Sequence, residues 1–236
     1  PAAGPATAGR CCSQASAAAA ELESARAEAE ASKAEIAKFK EEAEEAKREA
    51  EESKKDAEAH IEAMIGSAKA LLATDSGDLA ARTEQVTDLL DTYFDFPGIT
   101  RFSAGQYWRA ASVTEKQEYE LVIREVIIGT VVRNFDRLKG LEYSHVASTE
   151  KGSKLVLVTG RFSDAMGERP SVFVNWRVTT LPGKPVKVLD IEIENISMLV
   201  TQKQENVAII RKNKGKFGAL ITAMRKQLAG LEASLS

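Results

Sequence analysis

The chain has 236 residues, with 32 Lys and Arg against 35 Asp and Glu, a formal net charge of −3 and 44% hydrophobic residues. That length allows one large domain or a domain with an appendage, and the charge balance excludes the strongly basic footprint of a nucleic-acid binder. No apolar run reaches the length of a membrane span, and the only cysteines, the adjacent Cys11 and Cys12, can neither staple a fold nor complete a zinc site.

Residues 1–20 are almost entirely small, with hardly a bulky apolar side chain, so no ordered structure is expected there. The start at Pro1 without Met is what a mature or trimmed product would show. Cys11 and Cys12 are read either as lipid-modified or intermolecularly bonded cysteines or as a free thiol pair. Residues 21–60 hold 14 acidic and 8 basic side chains, whereas 61–236 hold 21 and 23, so the negative charge sits in the first segment. That segment lacks Pro and Gly and consists of strong helix formers. Glu44–Arg48 and Glu51–Lys55 are spaced as i,i+4 pairs in the favourable order. A 3-4 spacing runs unbroken through Leu22, Ala25, Ala29, Ser32, Ile36, Phe39, Ala43, Ala46, Ala50, Ser53, Ala57, His60 and Met64. Alanine and serine dominate this seam, so a dimeric coiled coil standing on it alone would be weak. Two readings stay open: a solvated single helix, or a tether that packs its alanine stripe on a partner helix. His60 on the seam is expected to be a filler and not a ligand.

A domain boundary is expected at Ile61, where composition changes. Ile61, Met64, Ile65, Ala68, Leu71 and Leu72 share a helical face that ends at Thr74-Asp75-Ser76-Gly77. A second helix runs from Leu79 to Phe94 and stops at Pro97-Gly98. A third covers Ile99 to Ala111. Thr114 to Gln117 reads as a capping box for a long fourth helix reaching Leu138, with Tyr119, Val122, Ile123, Val126, Ile127, Thr130 and Val131 on its stripe.

Four strands are expected next, at Leu141–Val146, Leu155–Thr159, Ser171–Thr179 and Val186–Glu194, joined by Gly- and Pro-containing turns suited to an antiparallel meander. In the third, Val172, Val174, Trp176 and Val178 alternate with Phe173, Asn175 and Arg177 and are expected to face the helices together with the stripe around Val122 and Val126 of the fourth helix. In the fourth, Leu189, Ile191 and Ile193 oppose Asp190, Glu192 and Glu194, which read as a wet face. Val186 and Val188 have the other parity, which predicts a bulge near Val188. A helix capped by Asn195 or Ser197 follows, and a final one resumes after Lys214-Gly215 through Phe217, Leu220, Ile221, Met224 and Leu228. Helices, then a meander, then helices is an α+β pattern.

Several of these stretches resemble the MlaC (toluene-tolerance) family over residues 61–236. They are D-I-E-I-E-N-I-S-M-L-V-T-Q at 190–202 with the basic helix and F-G-A-L-I behind it, F-D-F-P-G-I at 94–99, G-Q-Y-W-R-A-A at 105–111, and T-E-K-Q before the long helix. The sequence departs from the family pattern at Val131 and Asn206, where aromatics are usual, at the missing Trp before the last strand near Pro185, and in a longer Lys214-Gly215-Lys216 segment. The family consists of periplasmic phospholipid-binding proteins that serve as auxiliary components of an ABC lipid-transport system. The resemblance implies a curved antiparallel sheet covered by helices, similar to the nuclear-transport-factor-2-like fold, here preceded by the long charged helix. It also implies an acyl-chain cavity, for which Ile99, Phe102, Tyr107, Val122, Val126, Val172, Val174, Trp176 and Leu199 are the candidate lining residues. Arg211, Lys212, Lys214 and Lys216 are candidates for a lipid headgroup or an anionic membrane surface; the other reading is a cationic helix end favoured by the macrodipole.

No nucleophile motif, phosphate loop or metal-ligand spacing stands out, so neither an enzyme nor a cofactor is expected, and phospholipid would be present as cargo. Two functions follow. One is a phospholipid carrier that shields acyl chains and shuttles lipid between membranes, together with a membrane-bound lipid-transport complex. The other is a non-catalytic accessory subunit that keeps the fold as a scaffold and docks on a larger assembly through residues 21–60. The expected location is periplasmic, or organellar if the chain is a processed eukaryotic protein.

Overall fold

The structure, a computed structural model, describes the backbone of residues 8–75 and 77–234 and the side chains from Glu21 onward within those limits. The side chains of Cys11 and Cys12 lie outside the described residues. Two compact units are distinguished, Pro1–Glu51 and Glu52–Ser236.

Helix α1 spans Ala8–Thr74 without a break. Of the tail expected to lack structure, residues 8–20 are thus part of this helix, as the run of alanine favours; residues 1–7 lie outside the described residues. Every residue from Glu21 to Glu49 is exposed. The second unit starts earlier than the expected boundary at Ile61, because Ala57 is already fully buried, with Ile61 and Met64 following on the same stripe.

Three elements come next: α2 (Leu79–Tyr93), α3 (Phe96–Ser103) and a 3-10 turn (Gly105–Arg109). The single helix expected over 99–111 is divided because Gly105 has φ +60°, a left-handed geometry that ends the preceding helix. Helix α4 (Val113–Arg133) is capped by Ser112 and Glu115, two residues ahead of the expected Thr114–Gln117 box. Ser112 accepts from the Glu115 amide at 3.2 Å, and the Glu115 carboxylate accepts from the Ser112 amide at 2.9 Å. The helix ends at Arg133 and not at Leu138, which lies in a 3-10 turn (Phe135–Leu138).

Strands β1 (Leu141–Glu150), β2 (Leu155–Asp164), β3 (Val172–Thr179), β4 (Lys187–Ile193) and β5 (Ile196–Ser197) form an open antiparallel meander in sequence order. Register shifts mark bulges at Val146 and at Leu189, where Arg177 pairs with Asp190 but Val178 pairs with Val188. The second is the bulge that the parity change required. Glu194 and Asn195, at φ 50° and 64°, form a two-residue hairpin loop, so the helix cap falls to Ser197. Helices α5 (Met198–Lys212) and α6 (Gly218–Ala233) close the chain.

Val174, Trp176 and Val178 are buried and Phe173 is 49% exposed, the register the alternation demanded. Their cover differs from the expectation. With Val156, Val158 and Val188 they pack against Ala57, Ile61 and Met64 of α1, with Tyr93 and Phe94 at the margin. Val122 and Val126 belong to a separate core formed by α4, α5 and α6 with Tyr119, Ile210 and Phe217. A third cluster joins Leu71, Val86 and Leu90 to Ile128, Val132 and Phe135.

Candidate functional site

The site of interest lies where strand β4 meets the helices. Its local construction begins at F-D-F-P-G. The Asp95 carboxylate accepts from the Gly98 amide at 2.9 Å and caps α3, with Pro97 in the first turn. The Asp95 amide donates to Val188 O at 2.9 Å, which ties α3 to the bulged strand. Leu189 then reaches Gly98 so closely that a Cβ there would stand 2.9 Å from its Cδ1 and 2.2 Å from Asp95 Oδ2. Glycine is required for this contact.

The result is a cleft of about 150 Å³ lined by Phe94, Ile99, Ile123, Ile127, Leu189 and Ile191 together with Met198, Leu199, Gln202 and Asp190. Its polar groups are already engaged within the protein. Asp190 is 4% exposed, which corrects the expected wet face. Its carboxylate accepts from Ser197 Oγ at 2.5 Å and from the amides of Leu199 at 2.9 Å and Ile191 at 2.8 Å. The start of α5 covers it, because an N-terminal turn offers unpaired N–H groups to an anion. Glu192 stays half-buried near Arg177, at 3.5 Å, and Glu194 is exposed.

Gln202 donates to Asn206 Oδ1 at 2.9 Å. Asn206, fully buried, donates in turn to Tyr119 Oη at 2.8 Å and to Ser103 O at 3.2 Å. Burial raises the Tyr119 hydroxyl well above its usual range, and the hydrogen bond with Ser103 opposes this. The polar residue at 206 therefore braces α5 against α3 and α4.

The residues singled out from sequence fall into five places. Ile99 and Leu199 line this cleft. Val122 and Val126 are in the helical core, and Val172, Val174 and Trp176 are beneath α1. Phe102 is 39% exposed under the Lys203 ammonium at 4.7 Å. Tyr107 lines a second, wider cleft of about 730 Å³ with Glu115, Lys212, Lys214, Lys216 and Gly218. Arg211, Lys212, Lys214 and Lys216 are all exposed at the α5–α6 turn. The α6 amide end in that cleft is met by Glu115, whose carboxyl is held low chiefly by the Ser112 amide and hydroxyl and also by the Gly218 amide. Sequence reasoning missed Leu189, Ile127 and Met198; the parity break at Leu189 was the available signal.

Two groups on the sheet face stand out. Burial raises the Tyr143 hydroxyl against the influence of the nearby Trp176 N–H, yet neither atom reaches a partner in hydrogen-bond geometry. The Tyr143 ring lies over Gly160, where a Cβ would come within 2.1 Å of it. His60 Nε2 donates to Tyr93 O at 3.1 Å and its ring meets Tyr93 edge-on, so this seam residue ties α1 to α2. Among the described residues, no group of three or more His, Cys, Asp or Glu could hold a metal ion, and no helix is long and apolar enough to cross a membrane.

Comparison with known proteins gives a match of residues 58–226 to the family model described as MlaC protein. No curated protein matches the chain. A phospholipid-binding protein from Ralstonia solanacearum, whose structure was solved in complex with a phospholipid, has a similar fold with a TM-score of 0.63. It is 23% identical, and the match covers 75% of this chain and 99% of that one.

Proposed function

The chain belongs to the MlaC family, and from that premise we propose that it binds phospholipid in the 52–236 unit and carries it between membranes as a periplasmic component of a lipid-transport system. The observation that carries this reading is the cleft at β4, an apolar surface drawn from Phe94 and from α3, α4, β4 and α5, whose few polar groups are satisfied internally. Such a lining offers nothing for acid–base or nucleophilic chemistry to work with, and it rewards burial of hydrocarbon at about 0.8 kcal/mol per methylene. A binding or transport role suits it better than a catalytic one.

A cleft of about 150 Å³ is smaller than the roughly 300 Å³ at which ligand pockets begin. Loading an acyl chain therefore requires α5 to move away from α3, and we assign Ile99, Ile127, Leu189, Met198 and Leu199 as the first chain contacts. Arg211, Lys212, Lys214 and Lys216 then serve the phosphate of a headgroup or an anionic membrane surface.

Native mass spectrometry of gently purified protein, followed by lipid extraction, tests the reading. A phospholipid adduct is expected, and Leu199→Trp should lower its occupancy more than Lys212→Ala with Lys214→Ala does. Protein that carries no lipid and takes none up from phospholipid vesicles would end the carrier reading. The accessory-scaffold reading is favoured by the exposed apolar side chains Leu22, Ile36 and Phe39 of α1, and it would take its place.

A further inference from the structure

We propose that residues 21–50 of α1 form a parallel, in-register two-stranded coiled coil with a second copy of this chain. The apolar seam supplies the contact line. Leu22, Ile36 and Phe39 lie on it and are 56%, 51% and 60% exposed in the single chain.

The charges that flank the seam choose the partner and its direction. With Leu22, Ala29, Ile36 and Ala43 as a positions, the g positions are Glu21, Glu28, Glu35, Glu42 and Glu49, and the e positions are Arg26, Lys33, Lys40 and Lys47. Every g is acidic and every e is basic. At the outer b, c and f positions both signs occur, as at Glu30, Lys38, Glu41 and Arg48. Two ion pairs within the helix each use an outer position, Lys38 with the g residue Glu42 at 3.8 Å and Glu45 with Arg48 at 3.6 Å.

The pairing of one flank with the other does not close on a single helix. Glu28 and Lys33 are five residues apart on opposite flanks, whereas side chains meet on one helix at spacings of three or four. Between two parallel helices in register, each g carboxylate faces the e cation of the next heptad on the partner, giving Glu21–Arg26, Glu28–Lys33, Glu35–Lys40 and Glu42–Lys47 across the interface, each formed twice. In an antiparallel pair, g faces g and e faces e, so the same residues would oppose Glu to Glu and Lys to Lys. A chain that carries both complementary flanks on itself is its own best partner.

The small seam keeps the affinity modest, and the flanking pairs make it salt-sensitive. The pairing ends before Ala57, because from there the same stripe is buried against the sheet of its own chain.

Sedimentation velocity of the full chain across a concentration series tests this. The expected result is a reversible rise from 25.6 kDa towards twice that mass, weakened by salt. The triple variant Lys33→Glu, Lys40→Glu, Lys47→Glu and the converse Glu28→Lys, Glu35→Lys, Glu42→Lys should each stay monomeric at the same helix content. Mixed in equal amounts, they should pair again. With Cys11 and Cys12 replaced by serine, Leu22→Cys should form a disulfide dimer on oxidation, because only a parallel pair brings the two positions together. A chain monomeric at all concentrations, triple variants that dimerise as the parent does, or a mixture that fails to pair would each overturn the proposal and leave the seam to a different protein. A dimer that Leu22→Cys cannot cross-link would overturn its parallel register.

Discussion

Asn206→Ala probes the brace that holds the cleft closed. Asn206 donates to Tyr119 Oη and Ser103 O and accepts from Gln202, all inside a fully buried side-chain environment. Truncation leaves Ser103 O and one Tyr119 lone pair without their donor, while half-buried Gln202 can turn to water. Stranding a buried polar group costs roughly 1–3 kcal/mol. The retained hydrogen bond between Tyr119 and Ser103, 2.8 Å, limits the loss on the tyrosine side, so the total should be about 2–4 kcal/mol. For a unit of this size that is a fall in Tm of roughly 5–12 °C. Thermal unfolding of delipidated protein by circular dichroism measures it. Tyr119→Phe should overlap with Asn206→Ala in a double-mutant cycle, with a coupling of roughly 0.5–3 kcal/mol. Lipid exchange in the variant should be faster, since α5 is freer to leave α3. A Tm change below about 2 °C, or additivity of the two substitutions, would refute the brace.

Gly98→Ala should destabilise by about 2 kcal/mol or more in urea unfolding, because the new Cβ meets Asp95 and Leu189 at sub-contact distances; a neutral result would mean that α3 can shift freely. Asp190→Ala should cost about 3 kcal/mol, as it leaves Ser197 Oγ–H and the Leu199 amide without their charged acceptor, with the urea midpoint as the readout. His60 is lowered from 6.5 first by burial and then by Lys187, against the hydrogen bond to Tyr93 that raises it. The unfolded chain therefore binds the proton more readily, so the His60 contribution is complete above 6.5 and is lost as pH falls below it. A Tm profile from pH 7 to pH 5 should flatten in His60→Gln, about two pH units being enough to span the titration. Removing residues 1–51 should leave the Tm of the remainder within about 2 °C, whereas removing 1–60 should lower it by more, because Ala57 and the His60–Tyr93 contact go with it.

The elements that announce themselves by local chemistry were legible in the sequence. Alternation at 172–178 set which side of β3 is buried, and the parity change at Val188 required the bulge. The break at Lys214-Gly215 also needed nothing beyond its neighbours, whereas the hairpin at Glu194-Asn195 decided for Ser197 over Asn195 as the cap. The cap expected at Thr114 is displaced because two overlapping Ser/Thr motifs compete there, and Ser112 with Glu115 forms the box that closes in both directions. What faces what was decided by tertiary structure. A buried stripe states that a surface is covered, not by which element, so Trp176 was assigned to the α4 stripe although Ala57, Ile61 and Met64 of α1 cover it. Asp190 reads as part of a wet face because its donors are unremarkable in sequence; the Ser197 hydroxyl and the Leu199 amide that hold it are brought there by the hairpin at Glu194-Asn195. The candidate site divides in the same way. Ile99 and Leu199 enter as candidates through the family resemblance, while Leu189 and Ile127 join them only because the bulge and the α3–α4 crossing bring separate segments together, and period alone carries no information about such long-range contacts.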